Sequence, residues 1–157
     1  MKIYLVRHGE SLPVELDPEK GLSPEGKMEI EHFARFLGQK SFPLSKIYCS
    51  DKARARQTAE ILQQAIAPDT KIVEKSGLHP TDPLDQLKEL CLMDEDLMVV
   101  GHLPFLEKGV GYLVTGNENA KIVRFEAGTC VCLESNHGSW VIRWVISPQD
   151  VTSSRSK

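Results

Sequence analysis

A chain of 157 residues, 41% hydrophobic and 26% charged, is long enough for one domain with a full core and needs no disulfide staples. Its formal net charge of -3 speaks against a nucleic-acid binder, while leaving room for a local basic pocket. No apolar run reaches bilayer-spanning length and the first residues lack a signal-peptide pattern, so no membrane association and a cytoplasmic location are expected.

In chain order, the β-forming run Lys2–Val6 predicts a first strand that ends in Arg7-His8-Gly9-Glu10. Consecutive strand residues face opposite ways, so Arg7 and His8 can share a ligand only if the chain leaves strand geometry there, and Gly9 suits that turn. Ser23-Pro24-Glu25 then supplies an N-cap, a proline at the first helical position and an acid in the first turn. The stripe Ile30, Phe33, Ala34, Leu37 continues that helix to Gly38. A second strand is expected at Lys46–Cys49, followed after Ser50 by a helix with Ile61, Leu62, Ala65 and Ile66 facing inward.

A third strand at Lys71–Glu74 leads to a helix that starts at Asp82-Pro83 and buries Leu84, Leu87, Leu90 and Cys91. A fourth strand at Leu97–Val100 leads to a helix from Pro104 carrying Leu106, Val110, Leu113 and Val114. Lys121–Phe125 reads as a short extra strand. Thr129–Leu133 and Trp140–Ile146, joined by the turn-rich Ser135–Ser139, read as an antiparallel hairpin. Alternating strands and helices give a three-layer α/β/α sandwich whose sheet is mostly parallel, with the hairpin at its C-terminal end. Residues 1–152 are expected to form a single domain, with 153–157 a flexible tail. Cys49, Cys91, Cys130 and Cys132 lack zinc or disulfide-scaffold spacing and are expected to be free thiols, with Cys130 and Cys132 on one face of their strand.

In an open α/β sheet, ligands gather beyond the carboxyl ends of the strands. Three polar signals fall there: Arg7-His8-Gly9 after the first strand, Ser50 to Arg54 after the second, and Gly101-His102 after the fourth. Arg54 shares a helix face with Thr58, Ile61 and Leu62, which turns it inward near a helix start that favours anions. Arg56 instead shares its face with Glu60 and is expected at the surface, paired with it. Two arginines and two histidines at one edge suit a small multiply charged anion such as phosphate. No Asp, Glu and His cluster has metal-ligand spacing, so neither a metal nor another cofactor is expected, and no Gly-rich nucleotide loop is present.

LVRHGES, LSPEG, YCSDKARARQTAEIL and VVGHLPF, in that order, resemble the histidine phosphatase superfamily, whose fold is phosphoglycerate mutase-like. The length and the Gly-His-Leu-Pro form look most like the small SixA-type phosphohistidine phosphatases. The resemblance implies a hydrolase in which His8 is the nucleophile and Arg7, Arg54 and His102 hold the phosphoryl oxygens, without a metal. It implies that Gly9 permits the turn and that Lys20 is a basic residue near the pocket. Larger members carry an acidic proton donor after the third strand, and Asp82 is the nearest match by position, although Asp before Pro is also a common N-cap arrangement. His79 lies in the same loop without motif support, and Glu10 has no assigned role.

The expected substrate is phosphohistidine on a partner protein. The alternatives are a small-molecule phosphate monoester, a sugar-phosphate mutase reaction, or a phosphate-recognition module without turnover. Membrane and nucleic-acid partners are not expected.

Overall fold

The computed structural model describes residues 1–40 and 42–155. Strands β1 (Lys2–Arg7), β2 (Lys46–Cys49), β3 (Ile72–Glu74) and β4 (Leu97–Gly101) alternate with helices α1 (Pro24–Leu37), α2 (Ala53–Ile66), α3 (Asp85–Leu90) and α4 (Phe105–Thr115). The chain closes with β5 (Cys130–Asn136), β6 (Ser139–Ile146) and α5 (Pro148–Arg155). The sheet order is β3-β2-β4-β1-β5-β6. The first four strands are mutually parallel, whereas β5 runs antiparallel to β1 and β6 antiparallel to β5. His137 and Gly138 both adopt positive φ (54° and 85°), the two-residue geometry that matches the twist of a β-hairpin.

The two faces of the sheet bury separate cores, as period-two alternation requires. Tyr4, Val6, Met98, Val100, Cys130 and Cys132 pack under α1, α2 and α5, while Ile3, Leu5, Leu97, Val99, Val131 and Leu133 pack under α3 and α4. The expected sandwich is therefore the observed one, and Cys130 and Cys132 share a face. All four cysteines are free. Helix α1 starts as its sequence demands, with Ser23 Oγ accepting the Gly26 N–H and Pro24 in the first turn.

Four expectations change in detail. Lys121–Phe125 is not a strand: Lys121, Ile122 and Arg124 are exposed and Phe125 alone is buried, without the alternation a sheet strand needs. Helix α3 begins at Asp85 rather than at Asp82-Pro83, because Asp82 closes a turn with His79 first. The buried positions of α2 are Ala55, Thr58, Ala59 and Leu62, with Ile61, Ala65 and Ile66 half-buried beside them. Residues 153–155, expected in the tail, continue α5, and 156–157 lie outside the described residues. No helix among the described residues is long and apolar enough to cross a membrane.

Candidate active site

The parallel register puts the carboxyl ends of β1, β2 and β4 on one edge of the sheet, with Arg7 opposite Gly101 and Cys49 opposite Val100. His8 leaves β1 with its N–H on the Gly101 carbonyl (3.1 Å), and Arg7 donates its own N–H to Thr129 (3.0 Å). Gly9 follows with its N–H on the Thr58 hydroxyl of α2, at 3.0 Å. Its φ is not in the left-handed region, so the turn does not need glycine for its backbone angles. A Cβ there would lie 2.7 Å from Ile30 Cγ1 and 3.2 Å from Leu22 Cδ2, so glycine is required by the close approach of α1. That corrects the reason inferred from sequence.

A local hydrogen bond sets the tautomer of His8, and His102 is held by a hydroxyl. His8 Nδ1 is 2.7 Å from the Gly9 carbonyl, which can only accept, so Nδ1 carries the proton and Nε2 keeps its lone pair in the neutral ring. His102 Nε2 lies 2.6 Å from Ser50 Oγ, and that oxygen also receives the Lys52 N–H at 3.3 Å. Ser50 Oγ can accept the Lys52 N–H and donate its O–H to Nε2 together, an arrangement in which His102 Nδ1–H is a donor. The two rings sit 5.1 Å apart, centroid to centroid.

Burial pushes the His8 pKa down to about 4; its bond to Gly9 opposes the shift, while the positive charges of Arg54, Arg7 and Lys20 reinforce it. Burial also lowers His102, to about 3, with His8, Arg54 and His79 adding to the effect. Both rings are therefore neutral at physiological pH. Arg7 donates Nη1–H to the Phe125 carbonyl at 2.9 Å. Among the described residues, the buried side-chain polar atoms without a partner are Arg7 Nε and His102 Nδ1, and both belong to this cluster. Buried polar groups are otherwise almost always satisfied, so two orphaned nitrogens at one strand edge, one of them on a guanidinium, point to a polar ligand that completes them. No group of three or more His, Cys, Asp or Glu among the described residues is placed to hold a metal ion.

Arg54 stands in the first turn of α2, half-buried, and its charge is felt by both imidazoles. Arg56 is exposed, 3.7 Å from Glu60 as its spacing predicts, and is also bound by Glu74. Lys20 lines an open cleft of about 540 Å³ beside Arg54. Asp82 is held in its own turn, its carboxylate accepting the His79 N–H at 2.8 Å. His79 Nε2 in turn lies 2.6 Å from Asp51 Oδ1, which ties the β3–α3 loop to the β2–α2 loop.

Sequence reasoning placed Thr58 on the inward face but missed its task, which is to accept from Gly9 while donating to the Arg54 carbonyl at 2.8 Å. The only sequence signal was its position four residues after Arg54. Glu10 also gains a role: its carboxylate accepts the Ser23 hydroxyl at 2.9 Å and its carbonyl the Ser23 N–H at 3.0 Å, which fixes the start of α1 against the His8 turn.

A family model described as histidine phosphatase superfamily (branch 1) matches residues 3–83. 6-phosphofructo-2-kinase/fructose-2,6-bisphosphatase 4 of Rattus norvegicus is 40% identical over 63 residues, 38% of this chain and 13% of that protein. The mitochondrial serine/threonine-protein phosphatase Pgam5 of Drosophila mojavensis is 33% identical over 84 residues, 52% of this chain and 29% of that protein. The matched stretches thus span only a minor part of both relatives. The structure of the protein histidine phosphatase SixA complexed with tungstate superposes with a TM-score of 0.84 at 20% identity, covering 96% of this chain and 99% of that one, a likeness of fold.

Proposed function

The chain belongs to the histidine phosphatase superfamily, and from that premise we propose that it is a metal-independent phosphatase acting on phosphohistidine in a partner protein. The observation that carries the reading is the pair of orphaned buried nitrogens, Arg7 Nε and His102 Nδ1, beside a histidine whose Nε2 keeps its lone pair. His8 Nε2 attacks phosphorus in line, the bond from phosphorus to the leaving nitrogen breaks, and that nitrogen takes up a proton. Water then attacks the phospho-His8 intermediate, the P–Nε2 bond breaks, and phosphate leaves with His8 neutral again. Arg7, Arg54 and His102 donate to the non-bridging oxygens throughout, so positive guanidinium charge takes the place a metal would fill. Gly9 keeps the His8 turn against α1, and Lys20 adds positive charge at the rim.

Burial suits this chemistry, because an imidazole held neutral is a nucleophile at neutral pH without prior deprotonation. Asp82, the positional candidate for a proton donor, serves better as the residue that shapes the His79 turn. A phosphoramidate leaving group is basic enough at nitrogen to be protonated without a dedicated carboxylic acid, which favours phosphohistidine over an alkyl ester. The likeness to SixA, described as a protein histidine phosphatase, supports the same choice. Four free thiols suit a cytoplasmic setting.

A second reading, hydrolysis of a small phosphate ester, is favoured by the match to a fructose-2,6-bisphosphatase. Turnover on a phosphohistidine protein against simple phosphate monoesters separates the two. A higher kcat/KM on the protein supports the proposal, and a preference for monoesters refutes it.

A further inference from the structure

Ser50 and His102 follow β2 and β4 directly, and both are buried. Those strands are parallel neighbours with Cys49 opposite Val100, which sets the hydroxyl beside the ring, 2.6 Å from Nε2. On its other side Ser50 Oγ takes the backbone N–H of Lys52, the N-cap residue of α2, at 3.3 Å. These two groups are the hydrogen-bond partners of Oγ among the described residues. The start of the helix that carries Arg54 therefore also holds the hydroxyl that meets His102.

One proton decides what this chain of contacts does. Burial keeps the His102 pKa down at about 3, so at neutral pH the ring is uncharged and carries a single N–H. With that proton on Nε2, the ring donates to Oγ, and the serine O–H has no acceptor among the described residues. Nδ1, buried and unpartnered, then offers a lone pair where phosphoryl oxygens need a donor. With the proton on Nδ1, the Lys52 N–H donates to Oγ and the Oγ–H donates to Nε2. Nδ1–H is the one group left over, and a phosphoryl oxygen satisfies it. The second arrangement leaves one buried group unmet instead of two, and such groups are rare because each is costly.

Resting on the phosphoryl-transfer part of the reading above, we propose that Ser50 is a positioning residue: its hydroxyl holds His102 in the Nδ1–H tautomer, so the imidazole meets the phosphoryl group as a donor. Ser50 does not touch the substrate and acts through His102. The backbone of Lys52 completes the relay by engaging an Oγ lone pair, which leaves the hydroxyl proton for Nε2.

The test has a spectroscopic arm and a kinetic arm, both on the full chain. Heteronuclear NMR of the nitrogen-labelled protein reads which ring nitrogen bears the proton, with the His102 signals identified by their absence in His102→Ala. Nδ1 should be protonated and Nε2 bare in the unsubstituted chain, and Ser50→Ala should move the proton at least partly to Nε2. With p-nitrophenyl phosphate as substrate, loss of the partner that orients a functional imidazole should lower kcat by about tenfold to a hundredfold in Ser50→Ala. In a His102→Ala background the same substitution should cost less than about twofold, because a residue that acts through His102 has nothing left to act on. A protonated Nε2 in the unsubstituted chain overturns the proposal, and so does a Ser50→Ala loss of equal size in both backgrounds. Neither arm uses phosphohistidine, so a preference of the unsubstituted chain for monoesters refutes the phosphohistidine reading while the tautomer assignment stands.

Discussion

Replacing Thr58 by valine isolates a single hydroxyl that joins the nucleophile turn to the arginine helix. Thr58 is fully buried, and its Oγ1 accepts from the Gly9 N–H at 3.0 Å while donating to the Arg54 carbonyl at 2.8 Å. Valine keeps the shape and removes both bonds. The Arg54 carbonyl retains its helical partner, but the Gly9 N–H is left buried without one. An orphaned buried donor costs about 1–3 kcal/mol, and for a domain of this size each kcal/mol moves Tm by about 2–4 °C, so Tm should fall by about 2–12 °C. Gly9 also supplies the carbonyl that orients His8 Nδ1. Relaxation of Gly9 toward a new partner therefore swings Nε2 off line, and kcat should fall by about ten- to a hundredfold well below Tm. Thermal unfolding and steady-state hydrolysis of p-nitrophenyl phosphate read both quantities. Thr58→Ser keeps the hydroxyl and should recover most of kcat. A Thr58→Val protein with unchanged Tm and kcat refutes the reasoning.

Other consequences follow from the same geometry. Arg54→Ala should abolish most activity while Arg56→Ala keeps it within about twofold, since surface ion pairs contribute little; equal losses in phosphatase assays contradict the helical-face assignment. Gly9→Ala should cost about 1–3 kcal/mol by overpacking against Ile30 and Leu22, measured by denaturant unfolding, and an unperturbed midpoint contradicts it. His8 and His102 titrate at about 4 and about 3 in the folded chain against an ordinary 6.5, so below 6.5 the unfolded chain binds more protons. Their contribution to stability is complete above that value and is lost as pH falls through 4. Tm should therefore drop more steeply between pH 6.5 and 4 in the unsubstituted protein than in a His8→Gln, His102→Gln double variant; parallel curves contradict the assigned burial effect.

Much of this architecture was legible because local and global signals agree. Unbroken apolar runs ending in Gly or Ser mark strands buried on both faces, and Ser23-Pro24 marks a helix start that the structure confirms. The convergence of Arg7, His8, Arg54 and His102 followed from parallel strands ending on one edge. What escaped sequence reasoning was contact across the chain. The need for glycine at position 9 is set by Ile30, twenty-one residues on (30 − 9), and the tasks of Thr58 and Glu10 depend on partners 49 and 13 residues away. Asp82 failed as a helix cap because a turn with His79 competes for its carboxylate, and two turn geometries share one Asp-Pro signature. The two orphaned nitrogens are invisible in a sequence, since only the folded chain shows which polar atoms lack a partner.

The most direct test of the account is to quench the protein during turnover of a phosphodonor and map the covalent phosphate by mass spectrometry. An acid-labile, base-stable phosphate is expected on His8, carried on Nε2 because Nδ1 is engaged by Gly9, with no label in His8→Ala. Phosphate on another residue, or undiminished labelling of His8→Ala, contradicts the assignment of the nucleophile and the mechanism built on it.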